Sequence, residues 1–361
     1  MADPAPPAGR ETAGPAALAG GETAGPAPPA GREAGDRGPD VDRLVTRATS
    51  GDPRALARLV SLIENAAPQL RPVMKALAPL AGGARVIGLT GSPGVGKSTI
   101  TGTLVRHYRG EGLRVGVIAV DPSSPFTGGA LLGDRIRMQD HATDDGVFIR
   151  SMATRGHLGG LAVATPQALR VLDAAGFDVI LIETVGVGQA EVEIASLADS
   201  TLVLVAPGMG DAIQAAKAGI LEVADVFAVN KADRPQAQQT VRDLRNMIAL
   251  GHPGDGKKGE GEAGAGWKPP IVSTVASTGE GIGELAGKLD AHWRWLADTG
   301  ERERRRLARA REEVAGIAVA ALRNRMSRLP EGLDELAGQV AGGKLDPFAA
   351  ADQLVGTLTA D

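Results

Sequence analysis

Arg85–Thr99 reads RVIGLTGSPGVGKST. Val86, Ile87 and Leu89 make an apolar run of the kind expected of a buried strand. The turn Gly91-Ser92-Pro93-Gly94-Val95-Gly96 follows, and Lys97, Ser98 and Thr99 stand at the head of a predicted helix. The spacing is GxxxxGK[ST], that of a loop which cradles phosphate groups. Its glycines let successive backbone N–H groups curl inward as an anion nest, and the helix N-terminus adds the positive end of its dipole. Lys97 can then reach β- and γ-phosphates, and the Ser98 hydroxyl can bind Mg²⁺. A chain with 50 glycines matches such a pattern by chance often enough that the strand before it and the helix after it carry the reading.

Composition narrows the rest. The 361 residues bear a formal net charge of −4, which gives no global field for nucleic acid or an anionic membrane. There is no cysteine, so disulfides and thiolate metal sites are excluded and a cytoplasmic location is expected. His107, His141, His157, His252 and His292 include no pair at metal-binding spacing. No apolar run approaches a membrane span, and the N-terminus lacks the apolar core of a secretory signal. Residues 1–40 are Ala/Gly/Pro-rich, with PAPPAGRE at Pro4–Glu11 returning at Pro26–Glu33. Too few large apolar groups are present there to offset ordering entropy, so this tail is expected to be disordered.

From residue 41 to 84 apolar residues recur at helical spacing, with Asp52-Pro53 as cap and first-turn proline, which predicts a two- or three-helix N-terminal extension. Residues 85–297 alternate short β-branched runs with helical stretches. The runs are that of Val86, Ile87 and Leu89, then Arg114–Val120, Val147–Arg150, Asp178–Ile182, Thr201–Val205, Val226–Val229 and Ile271–Val275. That alternation predicts an α/β fold with a doubly wound, mostly parallel sheet and ligands at the strand C-termini. The Gly- and charge-rich stretch Gly251–Gly266 reads as a mobile surface loop. Residues 298–361 form a helical appendix whose Val314, Ile317, Ala318, Ala321 and Leu322 make an apolar stripe, to pack either on its own sheet or on a second subunit.

Two further motifs specify the nucleotide and the metal. Asn230-Lys231-Ala232-Asp233 is NKxD, placed after the sixth strand. A carboxylate at Asp233 can accept two hydrogens from the guanine N1–H and N2–H₂ edge, a donor pair that adenine lacks. Asn230 would brace the loops, and the Lys231 stem would lie over the base. In the turn Thr274-Val275-Ala276-Ser277 the Ala276 N–H could meet guanine O6. Alone NKxD is an ordinary surface tetrapeptide; downstream of a phosphate loop it points to GTP. Asp121 and Glu183 end strands near the phosphates. With Ser98 they suit Mg²⁺, which prefers few carboxylates beside hydroxyl, water and phosphate oxygens, although either acid could instead cap a helix. Gly186 stands where a backbone N–H could sense the γ-phosphate. The next residue, a water-orienting Gln in Ras-like GTPases, is Val187 here, so slow intrinsic hydrolysis is expected. Asp121–Met138 is the expected first switch; its Asp134 could orient water or sit in an exposed salt bridge. Asp211, Gln214 and Lys217 share one helix face after the fifth strand.

Taken together, GSPGVGKST, DPSSPFTGGALLGDRIRM, SMATRGHLGG, ETVGVGQAE and NKAD resemble the MeaB/ArgK/MMAA-type P-loop GTPases over about residues 42–361. The resemblance implies a GTPase chaperone docking on adenosylcobalamin-dependent methylmalonyl-CoA mutase or a near relative, gating cofactor loading and protecting the mutase. It implies Lys97, Asp121, Asp134 and Glu183 as catalytic and magnesium residues, and Asp211–Lys217 as part of a mobile switch that transmits nucleotide state. It further implies a homodimer through the C-terminal helices, with adenosylcobalamin held by the partner enzyme. The family's usual Ser after ETVGVGQ is Ala190 here. Two other readings remain, a metallochaperone GTPase of the same fold and a nucleotide-dependent scaffold with negligible turnover. The first would call for Cys or His clusters; the second takes its motive from Val187.

Overall fold

The computed structural model describes residues 41–121, 141, 143–153, 164–184, 195–208, 223–251, 266–326 and 330–359. The expected disordered tail and the Gly251–Gly266 loop lie outside these residues, apart from the two glycines that bound the loop. The strands are β1 (Arg85–Thr90), β2 (Val115–Asp121), β3 (Val147–Ala153), β4 (Val179–Thr184), β5 (Ser200–Val205), β6 (Val226–Asn230) and β7 (Ile271–Thr274). They form one seven-stranded sheet in the order β3-β2-β4-β1-β5-β6-β7, and every pairing is parallel. From β1 the chain steps outward through β5, β6 and β7 on one side, while on the other β4 lies between β1 and β2, so the crevice beside β1 is the expected ligand position.

Alternation along the strands assigns each side chain to a layer. Ile87, Leu89, Val117, Val179, Leu181, Leu202 and Leu204 pack with Ile100 and Leu104 of α4 (Lys97–Gly110) and Leu285 and Leu289 of α7 (Ile282–Asp298). Ile118, Val120, Ile180 and Ile182 pack the other way, on Leu169 and Leu172 of α5 (Ala164–Ala174). That second cluster also takes in Val45 of α1 (Val41–Thr49), Leu59 and Ile63 of α2 (Pro53–Glu64), and Val73 and Leu77 of α3 (Leu70–Leu77). The N-terminal helices therefore complete the sheet's apolar cover. Each of their fully buried side chains contributes about 1.5–3 kcal/mol. Farther along the sheet Val203, Val205, Phe227 and Val229 are covered by Val241 and Leu244 of α6 (Ala237–Gly251). The start of α2 follows the expected logic, with Pro53 at its first turn and the Asp52 carboxylate accepting from the N–H groups of Arg54 at 2.9 Å and Ala55 at 3.1 Å.

Three C-terminal helices follow, α8 (Glu301–Met326), α9 (Pro330–Ala341) and α10 (Pro347–Thr359). The first half of α8 is seated on the sheet's N-terminal rim by arginines. Arg305 donates twice to Asp225, with both contacts at 3.0 Å; Arg309 pairs with Asp199, and Arg306 donates to the Ala84 carbonyl at 3.1 Å. Asp225 also faces His292, whose Nε2 lies 3.2 Å from Oδ1 and whose Nδ1 lies 2.7 Å from Ser200 Oγ, in a cluster with the rings of Trp267 and Trp295. Burial alone would raise the Asp225 carboxyl, but the facing His292 and Arg305 together hold it below the usual carboxylate range. Beyond Glu313 the character of α8 changes. Val314 is 69% exposed, Ile317 42% and Leu322 51%, so the stripe does not pack on its own sheet.

Candidate functional site

The loop between β1 and α4 is built as its sequence predicts. Gly91 has φ 140° and Gly96 φ 99°, and neither tolerates a side chain. A Cβ at Gly91 would meet the Leu204 carbonyl at 2.3 Å, and one at Gly96 would meet Asn230 Nδ2 at 2.4 Å. Gly96 is the cap residue of α4, and Lys97 and Ser98 open that helix half a turn from the nest. Val95 is buried, and with Ser92, Pro93, Gly94 and Thr99 it completes the loop. The Lys97 ammonium folds back over the loop and donates to the Gly91 carbonyl at 2.7 Å and the Ser92 carbonyl at 3.2 Å. Its charge is thereby held at the mouth of the nest.

Asn230, at the end of β6, ties three loops together. It is nearly fully buried. Its Nδ2 donates to the Val95 carbonyl at 2.8 Å, while its Oδ1 accepts from the Ala276 N–H at 3.1 Å and from Thr274 Oγ1 at 3.3 Å. The expected bracing role of Asn230 thus has a definite geometry. It also alters one expectation. The Ala276 N–H, expected to meet the base, is engaged by Asn230, because the carboxamide oxygen reaches across the β6–β7 pairing at Asn230↔Thr274. Lys231 follows in the left-handed region at φ 59°, uncommon for a residue with a side chain, and its Nζ donates to the Gly94 carbonyl at 2.6 Å. Asp233 is exposed on the same loop, and its carboxylate makes no hydrogen bond among the described residues. Val275 and Ser277 flank Ala276 in the turn after β7, where Val275 bridges to Glu280.

Glu183 enters from the neighbouring strand. Leu89 of β1 pairs with Glu183 of β4, which sets the carboxylate beside the loop, almost wholly buried. Its Oε1 accepts from Ser98 Oγ at 2.7 Å and its Oε2 from Thr101 Oγ1 at 2.9 Å. The Ser98 hydroxyl donates to Glu183, and a hydroxyl oxygen that donates can also offer a lone pair to a cation. Hydroxyl and carboxylate oxygens are the hard donors that Mg²⁺ accepts, so the residues fit that ion. Asp121 is the last residue of β2, one beyond the Val120↔Thr184 pairing, and so belongs to the same edge of the sheet. Asp134, Gly186, Asp211, Gln214 and Lys217 lie outside the described residues. Thr101 had no motif to announce it. Its one signal is the i, i+3 spacing from Ser98, which puts both hydroxyls on one face of α4.

Comparison with known proteins accounts for this assembly. The family model described as the methylmalonyl-CoA mutase-associated GTPase MeaB matches residues 56–331. The chain belongs to the MeaB family. A Pyrococcus horikoshii protein named as a GTPase is 48% identical over 312 residues, covering 86% of this chain and 96% of that protein. The mitochondrial methylmalonic aciduria type A homologue of Caenorhabditis elegans is 28% identical, covering 89% of this chain and 83% of its own length. Among solved structures, a LAO/AO transport system kinase superposes with a TM-score of 0.64 at 26% identity, over 88% of this chain and 97% of that one. The sheet, the phosphate loop and the NKAD loop are thus those of a P-loop GTPase.

Proposed function

We propose that this MeaB-family GTPase binds GTP with Mg²⁺ at Gly91–Thr99, hydrolyses it slowly to GDP and phosphate, and uses the cycle as a chaperone of an adenosylcobalamin-dependent methylmalonyl-CoA mutase or near relative. The cycle would gate cofactor loading and protect the mutase, with adenosylcobalamin bound by the partner enzyme. The match to the mutase-associated family over residues 56–331 carries this reading, and the contacts of Lys97, Ser98, Glu183 and Asn230 support the nucleotide part of it. When bound, Mg²⁺ would neutralise phosphate charge; Ser98, Asp121 and Glu183 are the residues proposed to hold it. Lys97 places a cation at the β- and γ-phosphates, Gly186 senses the γ-phosphate, and Asp134 orients water. Asp233 selects guanine, and the Asp211, Gln214 and Lys217 face carries nucleotide state to the mutase.

The exposed stripe on α8, with Leu333 of α9 and Phe348 of α10 also exposed, supports a homodimer through the C-terminal helices. The absence of cysteine weighs against delivery of a thiophilic metal. No helix among the described residues is long and apolar enough to cross a membrane, which is compatible with the expected cytoplasmic location. The test is GTP turnover with Mg²⁺, alone and with stoichiometric methylmalonyl-CoA mutase. Strong stimulation is the expected result. Basal turnover without any response would remove the mutase from the reading, and no turnover in either case would leave a scaffold.

A further inference from the structure

The hydroxyl of Thr101 is placed where neither the phosphate-loop pattern nor the NKAD loop requires one. It is fully buried, sits one helical turn after Ser98, and reaches the oxygen of Glu183 that Ser98 does not, at 2.9 Å. We infer that Thr101 is a positioning residue for nucleotide-linked Mg²⁺ binding, acting through Glu183. Two hydroxyls from one face of α4 grip the two oxygens of a single carboxylate on β4. This inference rests on the assignment of Glu183 to the magnesium site.

The geometry supplies the reason. Ser98 grips one oxygen of the carboxylate. A second donor at the other oxygen fixes the plane of the carboxylate and with it the direction of the Ser98 lone pairs. The Thr101 hydroxyl also lies 3.0 Å from the Lys97 carbonyl, a contact that helical threonines commonly make to the residue four before them. One proton serves two acceptors, and the charged carboxylate is the stronger of them. Groups that orient a metal-site carboxylate typically alter metal affinity about 10- to 100-fold when removed.

The discriminating substitution is Thr101→Val, which keeps the branched shape and deletes the donor, beside Thr101→Ser, which restores the hydroxyl in a smaller side chain. The primary readout is calorimetric, the Mg²⁺ concentration that half-saturates the GDP-bound protein; GDP affinity without Mg²⁺ and GTP turnover are measured alongside. Thr101→Val is expected to raise the half-saturating Mg²⁺ about tenfold or more with metal-free GDP affinity unchanged, and Thr101→Ser to return close to the wild type. An unchanged Mg²⁺ requirement in Thr101→Val overturns the inference, as does a Thr101→Ser chain impaired as much as Thr101→Val, since packing alone would then explain both. Should Thr101→Val not fold, Thr101→Ala read by the same titration decides by the same criteria. Glu183→Gln separates the two levels. If it leaves Mg²⁺ binding untouched, the Glu183 assignment fails and takes Thr101 with it. If it weakens Mg²⁺ binding while Thr101→Val does not, only the Thr101 inference fails.

Discussion

Lys97 and Asp233 are proposed to serve the phosphates and the base of the nucleotide, and their substitutions should separate chemistry from recognition. Lys97→Ala removes the point charge held at the mouth of the nest. GTP turnover should fall about 100- to 1,000-fold while binding of the guanine ring persists, which fluorescent-nucleotide titration beside a turnover assay would check. Asp233→Asn replaces the acceptor pair proposed to read guanine, and the preference for GTP over ATP should drop about 10- to 100-fold, the value of one charge-assisted hydrogen bond. Competition between the two nucleotides reads this directly, and an unchanged ratio would move base recognition elsewhere. Both residues were legible in the sequence because fixed spacing encodes a loop whose backbone geometry is itself fixed. The contact between the Ala276 amide and Asn230 had no such spacing to announce it, because it is made across the sheet. Thr101 was invisible for a related reason, since a threonine inside a helix has no pattern until the strand carrying Glu183 is laid beside it.

The strands were readable wherever they were apolar on both faces, as β1, β5 and β6 are. β3 was underestimated. Its expected end at Arg150 gives way to a ladder that runs through Ser151 and Met152 to the pairing Asp121↔Ala153; there Met152 is a lone large apolar residue between Ser151 and Ala153, too short a run to read as strand. The seating of α8 was also hidden, because its arginines look like a solvated charge run until Asp199 and Asp225 are set beneath them. This element makes a test of pH dependence. In the unfolded chain Asp225 titrates near about 3.9; in the fold its carboxyl is depressed by His292 and Arg305 against the pull of burial. Its stabilising contribution is therefore complete above about pH 4 and is lost as pH falls through the lower, folded value. Asp225→Asn should cost about 3–5 kcal/mol at pH 7 and should flatten the acid end of the stability curve. Thermal midpoints of both chains between about pH 3 and pH 7 would show it; parallel curves would mean that Asp225 is not the group responsible.

At the scale of the molecule, one half of α8 is tied down by ion pairs and the other presents Val314, Ile317 and Leu322 to the surface. If a second copy covers that face, Ile317→Glu with Leu322→Glu should halve the mass measured by sedimentation and leave basal GTP turnover within about twofold, since neither side chain touches the nucleotide loops. A chain that sediments identically before and after would place the dimer contact elsewhere. The aromatic scarcity of the sequence, with five phenylalanines in all, then becomes an experimental convenience. Phe227 is fully buried in β6, a strand gripped by Asp225 just before its first residue and by Asn230 at its last. A fluorine-labelled chain would give five ring resonances, and the one from Phe227 would listen from inside the strand to the NKAD loop and the C-terminal helix at once.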